Sequence, residues 1–143
     1  MFKRIALFLL GLFLAVSSSA QSAYTPAKGS AERKAILDAL RAPVERDLGQ
    51  KVTFVTKNFK VQGAWAFVGA DPFTPSGGEI DYSKTKYAEA VADGIFDSNV
   101  FVLLRKRSGK WRITKYQIGC TDVCYSDWWK TYRAPKAIFP YTE

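Results

Sequence analysis

Residues 100–119, VFVLLRKRSGKWRITKYQIG, contain two strand-like runs on either side of Ser108-Gly109. The first run, Val100–Leu104, is rich in β-branched and aromatic residues and is apolar on both faces. In the second run, Trp111 and Ile113 share one face. Because Ser-Gly between such runs is typical of a tight turn, the stretch predicts an antiparallel β-hairpin around which the rest of the chain is arranged.

The two arms of this hairpin differ in their patterns. A strand that is apolar on both faces is either central in a sheet covered on each side or partly exposed at a binding surface, and both alternatives stay open. In the second arm the apolar positions change parity, because Tyr116 and Ile118 do not continue the phase of Trp111 and Ile113. This change predicts a bulge or a strong bend near Lys115.

The tip of the hairpin is strongly basic. Two interpretations fit this charge: a solvated tip that keeps the protein soluble and protects a sheet edge, or a site that binds anions. For the second, the candidate ligand-binding residues are Arg105, Arg107 and Lys110, with Lys106 and Arg112 beside them.

Residues 1–23 have the pattern of a bacterial signal peptide. Lys3 and Arg4 precede an apolar run, and small residues allow cleavage after Ala20 or Ala23. We therefore expect a periplasmic or secreted protein whose mature part, residues 24–143, is a single domain that does not span a membrane. Removing residues 1–23 lowers the net charge from +8 to about +6, which favours anionic partners.

Cysteine and histidine usage limits the chemistry. The chain has no histidine, which excludes Ser-His and Cys-His nucleophiles and histidine-based metal sites. Cys120 and Cys124 are the two cysteines, and in an oxidising compartment they predict a disulfide that closes a short loop. A redox-active pair is the alternative, although the spacing is not C-x-x-C. We expect no cofactor and no metal.

The remaining chain alternates between helical and strand patterns. An apolar stripe from Ile36 to Leu48 predicts a helix that Pro43 either kinks or divides near Arg41. Residues 51–62, with a bulge near 56–58, and residues 64–70 predict two more strands. The order predicts an α+β fold in which the N-terminal helix packs on a curved four-stranded antiparallel sheet. The predicted contact places the helix stripe against Phe54, Trp65, Phe67, Val102, Leu104 and Ile113.

Several of these segments carry a resemblance to a known group of proteins: Leu40–Val44, Val52–Val55, Val61–Val68, Gly109–Ile113 and Gly119–Val123. Together they resemble bacterial exported proteins of unknown function, similar in outline to the cystatin-like and NTF2-like α+β rolls. The resemblance implies a roll-shaped fold, and it implies no catalytic residues.

Two further features are candidate ligand sites. Tyr125, Trp128, Trp129 and Tyr132 would share one face of a helix, where they either close the core or form an exposed aromatic platform. Asp122 follows the last strand as a turn acceptor or, if buried, as a general base. Its candidate partners are Glu79, Asp81, Tyr82 and Asp97.

Two functions follow from these observations. The first is an exported, non-catalytic binding protein for an anionic envelope component or another exported protein, with nucleic acid disfavoured. The alternative is a small-ligand enzyme of roll type that uses a carboxylate such as Asp122. An inhibitor of a secreted hydrolase ranks third, because it depends only on fold analogy.

Overall fold

A four-stranded antiparallel sheet forms the middle layer of the fold. The computed structural model describes residues 20–143, and its strands are β1 (Thr53–Gln62), β2 (Trp65–Phe73), β3 (Val100–Arg107) and β4 (Lys110–Ile118). They pair in the order β1-β2-β3-β4 as a meander. The predicted α+β class is therefore confirmed, whereas the predicted signal sequence lies almost entirely outside the described residues.

One face of the sheet is covered by helix α1 (Ala31–Leu48). The Ser30 side chain caps its first turn, and Gly49, at φ +63°, ends it in a left-handed conformation. The helix continues through Pro43, so a division near Arg41 is wrong. Towards the sheet α1 buries a stripe of four apolar side chains: Ile36, Leu40, Val44 and Leu48.

The opposite face is covered by the C-terminal segment, residues 120–143. This segment includes a short helix, α3 (Trp128–Thr131), and a 3-10 turn further on. The ring of Phe67, from β2, lies under it with its centroid 4.9 Å from those of Tyr125 and Phe139. Because β2 and β3 are thus covered on both sides, the first alternative for the apolar run Val100–Leu104 is correct.

The second apolar layer corrects one expectation about the core. Trp65 and Phe67 were predicted to face α1, but both belong to the layer under the C-terminal segment. Ala66 and Val68 face the helix instead, since side chains alternate along a strand. The side chains of β2 are apolar on both faces of the sheet, so the sequence pattern alone did not show which of the two faces packs against α1.

Both predicted bulges are confirmed. In β1, Thr56 pairs with Ala70 and Asn58 with Gly69, which leaves Lys57 unpaired in the ladder. In β4, Ile113 and Lys115 pair with consecutive residues of β3, so Thr114 is the extra residue. Each bulge shifts the strand by one residue and so returns apolar side chains to the α1 face.

The long connection between β2 and β3, residues 74–99, is anchored by an aromatic contact. It contains a second short helix, α2 (Ala88–Ala92). The ring of Phe96 packs between Tyr82 and Tyr87, with centroids 4.6 Å and 5.3 Å away. The same ring lies directly on Gly119 at the end of β4, where no side chain would fit.

Candidate functional site

The β3–β4 hairpin places five cations on one face of the sheet. Arg105 pairs with Arg112, Arg107 with Lys110, and Leu103 with Lys115. Paired residues of an antiparallel ladder share a face, and alternate residues of one strand do too. We call the resulting set the basic face: Arg105, Arg107, Lys110, Arg112 and Lys115. It is on the side that the C-terminal segment covers further along the strands.

The turn between the strands extends this face beyond the rest of the sheet. Ser108 and Gly109 have φ values of +49° and +75°, the combination that a two-residue type I′ turn needs. The last pair between β2 and β3 is Trp65 with Arg105, so the residues after Arg105 project past β2. The tip therefore presents its charges to solvent without a neighbouring strand on the β2 side.

None of the cations on the basic face makes an ion pair with a residue of the described range 20–143. Residues 100–119 contain no Asp or Glu that could neutralise them. Arg105 opposite Arg112 and Arg107 opposite Lys110 are like-charge cross-strand pairs, which destabilise a sheet. The hairpin thus bears an electrostatic cost that no carboxylate in its own sequence offsets.

Two tryptophan rings contact cations at this end of the sheet. The guanidinium carbon of Arg105 lies 5.0 Å from the ring centroid of Trp65, a half-buried residue on the same face. On the opposite face, Lys106 Nζ lies 5.7 Å from the ring of Trp111. Both distances are in the range of a cation–π contact, which fixes the long side chains near the sheet.

The four predicted aromatic residues do not form one helical face. Helix α3 is a single turn, so Tyr125 precedes it and Tyr132 follows it. Tyr125 and Trp128 are buried under the C-terminal segment, 7% and 4% exposed. Trp129 and Tyr132 are half-buried at its border. Since only these two have accessible surface, the interpretation as a core-closing cluster fits the geometry better than a four-ring platform.

The predicted disulfide is present and fixes the point where the chain leaves β4. Cys120 and Cys124 are bonded, with their Cα atoms 6.1 Å apart. The Asn99 side chain holds the same turn, because it donates to the Cys120 carbonyl (2.8 Å) and accepts from the Cys120 N–H (2.9 Å). The bridge therefore fixes the first turn of the segment that covers the second face of the sheet, and Asn99 holds that turn to the end of the β2–β3 connection.

Asp122 lies inside this disulfide loop and is exposed. It borders a surface cleft together with Asp127 and Glu143. The predicted partners lie elsewhere: Asp81 bonds Ser83 and Lys84, Tyr82 bonds Ser98, and neither Glu79 nor Asp97 borders that cleft. The structure therefore does not bring Asp122 together with the four side chains that were its candidate acid–base partners, and this weakens the enzyme alternative.

Sequence reasoning missed a polar cluster centred on Asp47 near the end of α1. Its carboxylate accepts hydrogen bonds from Tyr87 (2.8 Å) and Tyr116 (3.4 Å) and pairs with Lys86 at 2.5 Å. Burial acts to raise the pKa of Asp47, but the hydrogen bonds from Lys86 and Tyr87 outweigh it and hold that pKa below its usual value. Burial and Asp47 raise the pKa of Tyr87 and of Tyr116.

The Asp47 cluster connects three parts of the fold. Asp47 is on α1, Lys86 and Tyr87 are in the β2–β3 connection, and Tyr116 is on β4. A carboxylate with a lowered pKa stays charged at neutral pH and is a poor proton acceptor. We therefore interpret the cluster as a structural contact. Its members are far apart in sequence, and no short motif could have indicated it.

Neither metal nor membrane features occur in the described part of the chain. Within residues 20–143, no three side chains of the metal-ligating types are placed so that they could hold a metal ion. In the same range, no helix has the length and apolar character needed to cross a bilayer. Comparisons with protein-family models, curated proteins and solved structures found no match. Of the predicted ligand sites, the basic face is the one whose residues the fold brings together on one surface.

Proposed function

We propose that this is an exported, non-catalytic binding protein that holds a phosphate-bearing component of the cell envelope on its basic face. The observation that carries the proposal is the set of five cations on one side of the hairpin with no carboxylate among residues 100–119. Such an array creates a local positive potential that attracts anionic polymers and headgroups. Another exported protein with an acidic surface is the competing partner.

Protection of a sheet edge does not account for all of this charge. Lysines and arginines on an edge strand prevent pairing with other molecules, and β4 is such an edge. Arg105, however, is at a position of β3 that pairs with Trp65 of β2 on one side and with Arg112 of β4 on the other, so it is not at an edge. Charges there oppose those of β4 directly and weaken the hairpin. Binding of an anion would relieve that repulsion, which supports a functional role.

Trp65 adds a second element of recognition. It lies beside Arg105 and is half-buried, so part of its ring borders the basic face. A tryptophan next to cations suits a ligand that combines anionic groups with sugar or acyl surface. Export is supported by the sequence of residues 1–23 and is compatible with the Cys120–Cys124 disulfide, since disulfides persist in oxidising compartments.

Thermal unfolding followed by tryptophan fluorescence tests this proposal. Polyphosphate and vesicles containing phosphatidylglycerol should raise the unfolding midpoint at low salt, and phosphatidylcholine vesicles should not. High salt should abolish the effect, because exposed charges are screened. The two anionic probes distinguish a soluble polymer from a lipid surface. A midpoint that no anion raises would refute the proposal, and a rise with an acidic protein alone would favour the competing partner.

A charge-matched pair of variants locates the effect. Arg107→Gln with Lys110→Gln removes two charges from the tip, and Lys34→Gln with Arg46→Gln removes two from α1. We expect the tip variant to bind about tenfold more weakly or worse, since each basic residue near an anionic surface contributes about 1 kcal/mol. The α1 variant should bind within about twofold of the wild type. Equal losses would mean that net charge, not the basic face, drives binding.

A further inference from the structure

A second cationic region lies at the opposite edge of the sheet, beside β1. A cleft of about 560 Å³ is bordered by the N-terminal segment, the start of α1, β1 and the C-terminal segment. This volume is in the range of small-molecule sites. Of its fourteen lining residues, four are cations, seven are apolar and none is Asp or Glu. The cleft is distinct from the basic face, because none of the residues that line the cleft belongs to that face.

Arg33 is the fixed charge of this cleft. Its guanidinium donates to the carbonyl of Pro26 (3.2 Å) and to the Thr56 hydroxyl (2.7 Å), and it lies 4.6 Å from the ring centroid of Phe59. These three contacts orient the group without neutralising it, because both acceptors are uncharged. The neighbouring Glu32 makes no ion pair with Arg33, and its carboxylate accepts a hydrogen bond from the Tyr24 hydroxyl at 2.5 Å.

The other cations add to this charge. Lys28 and Lys60 are exposed on the border of the cleft and, like Arg33, make no ion pair within residues 20–143. Lys57 is neutralised by Asp71, 2.6 Å away. A half-buried guanidinium held only by neutral acceptors keeps unused N–H donors and an uncompensated charge. Both features favour an anionic ligand.

We propose that this cleft binds a small organic anion, in which one phosphate or carboxylate group contacts Arg33 and an apolar part lies against Ala137 and Pro140, which are exposed in the lining. Lys28 and Lys60 stabilise the anionic group electrostatically. The apolar half of the lining suits a ligand that has an apolar part besides its anionic group. This site is independent of polyanion binding on the basic face.

Nuclear magnetic resonance titration of the isotopically labelled, disulfide-bonded protein tests this proposal. Phenyl phosphate and benzoate are the probes, and benzyl alcohol is the neutral control. We expect the anions to shift the Arg33 side-chain N–H signal and the Phe59 amide in a saturable way, with benzyl alcohol giving no such shift. Tighter binding of phenyl phosphate would indicate that the cleft prefers phosphate, and tighter binding of benzoate would indicate that it prefers carboxylate. No saturable shift at these residues at millimolar concentration would overturn the proposal.

Variants of equal charge distinguish binding in the cleft from a general effect of the protein's net charge. Arg33→Gln should weaken the binding of the stronger probe about tenfold or more, because a charge-assisted hydrogen bond is lost. Arg46→Gln removes the same charge from the same helix outside the cleft and should change binding less than about twofold. If Arg33→Gln fails to fold, Lys28→Gln with Lys60→Gln should weaken binding severalfold. If Arg33→Gln and Arg46→Gln weaken the binding of the probe equally, the proposed site is refuted. If the hairpin-tip variant binds the probe as the wild type does, the cleft is independent of the basic face.

Discussion

Replacing Gly119 with alanine tests how the β2–β3 connection is held to the sheet. Gly119 has φ +83°, and a Cβ added there would lie 2.1 Å and 2.3 Å from two atoms of the Phe96 ring. The left-handed backbone costs alanine about 1 kcal/mol. Relief of the clash requires the ring to move against Tyr82 and Tyr87, an overpacking cost of about 2 kcal/mol. We expect a total loss of about 3 kcal/mol.

Gly109→Ala is the matched control. Gly109 directly precedes β4, as Gly119 directly follows it, and it too has a positive φ of +75°. A Cβ added at Gly109, however, would have no atom within 4 Å other than those of its own residue and its chain neighbours. Gly109→Ala should therefore lower the free energy of unfolding only by the cost of the left-handed backbone, about 1 kcal/mol. Adding Phe96→Leu to Gly119→Ala should recover part of the loss, since a smaller, flexible side chain can move aside.

Urea unfolding followed by tryptophan fluorescence, with the disulfide intact, measures these differences. The reasoning fails if Gly119→Ala is no more destabilised than Gly109→Ala, because the Phe96 contact would then contribute nothing. It also fails if the effects of Gly119→Ala and Phe96→Leu simply add. Additivity would mean that the two residues do not touch in solution.

Two more predictions concern stability. Asp47→Asn should cost about 1 kcal/mol at neutral pH, a modest value because Lys86 is largely exposed. The folded pKa of Asp47 is lowered, so its stabilisation is present above the unfolded pKa and lost as pH falls through the folded pKa. The difference between wild type and variant should shrink in acid, and a difference that is constant with pH would contradict the cluster. Replacing Cys120 and Cys124 with serine should cost about 2 kcal/mol, the value for a very short loop, measured by urea unfolding. No change in stability would show that the bridge does not constrain the chain.

The strands were predictable because their side-chain patterns report directly on burial. The parity changes near residues 56–58 and at Lys115 correctly indicated bulges, since an extra residue is what moves an apolar pattern to the other parity. The hairpin turn followed from Ser108-Gly109. The face of β2 was not predictable, because Trp65 and Ala66 are both apolar and either parity could have faced α1.

The sites were less predictable than the strands. The basic residues of the hairpin were visible in sequence, but their concentration on one face depends on the pairing register and on the bulge at Thr114. The spacing of the aromatic residues from Tyr125 to Tyr132 predicted that a short helix would place all four rings on one face. The helix spans only Trp128–Thr131, so Tyr125 lies before it, and the chain leaves the helical conformation after it, where Arg133 has φ +57°. The Arg33 cleft joins four distant segments and has no local pattern.

Mapping of the bound anion by nuclear magnetic resonance tests the central claim most directly. The arginine side-chain N–H signals of the mature, disulfide-bonded protein would be followed as polyphosphate is added at low salt. We predict that Arg105, Arg107 and Arg112 shift together and saturate, and that Arg46 on α1 does not move. Shifts spread evenly over all arginines, or absent from the hairpin, would contradict the assignment of the basic face as the binding site.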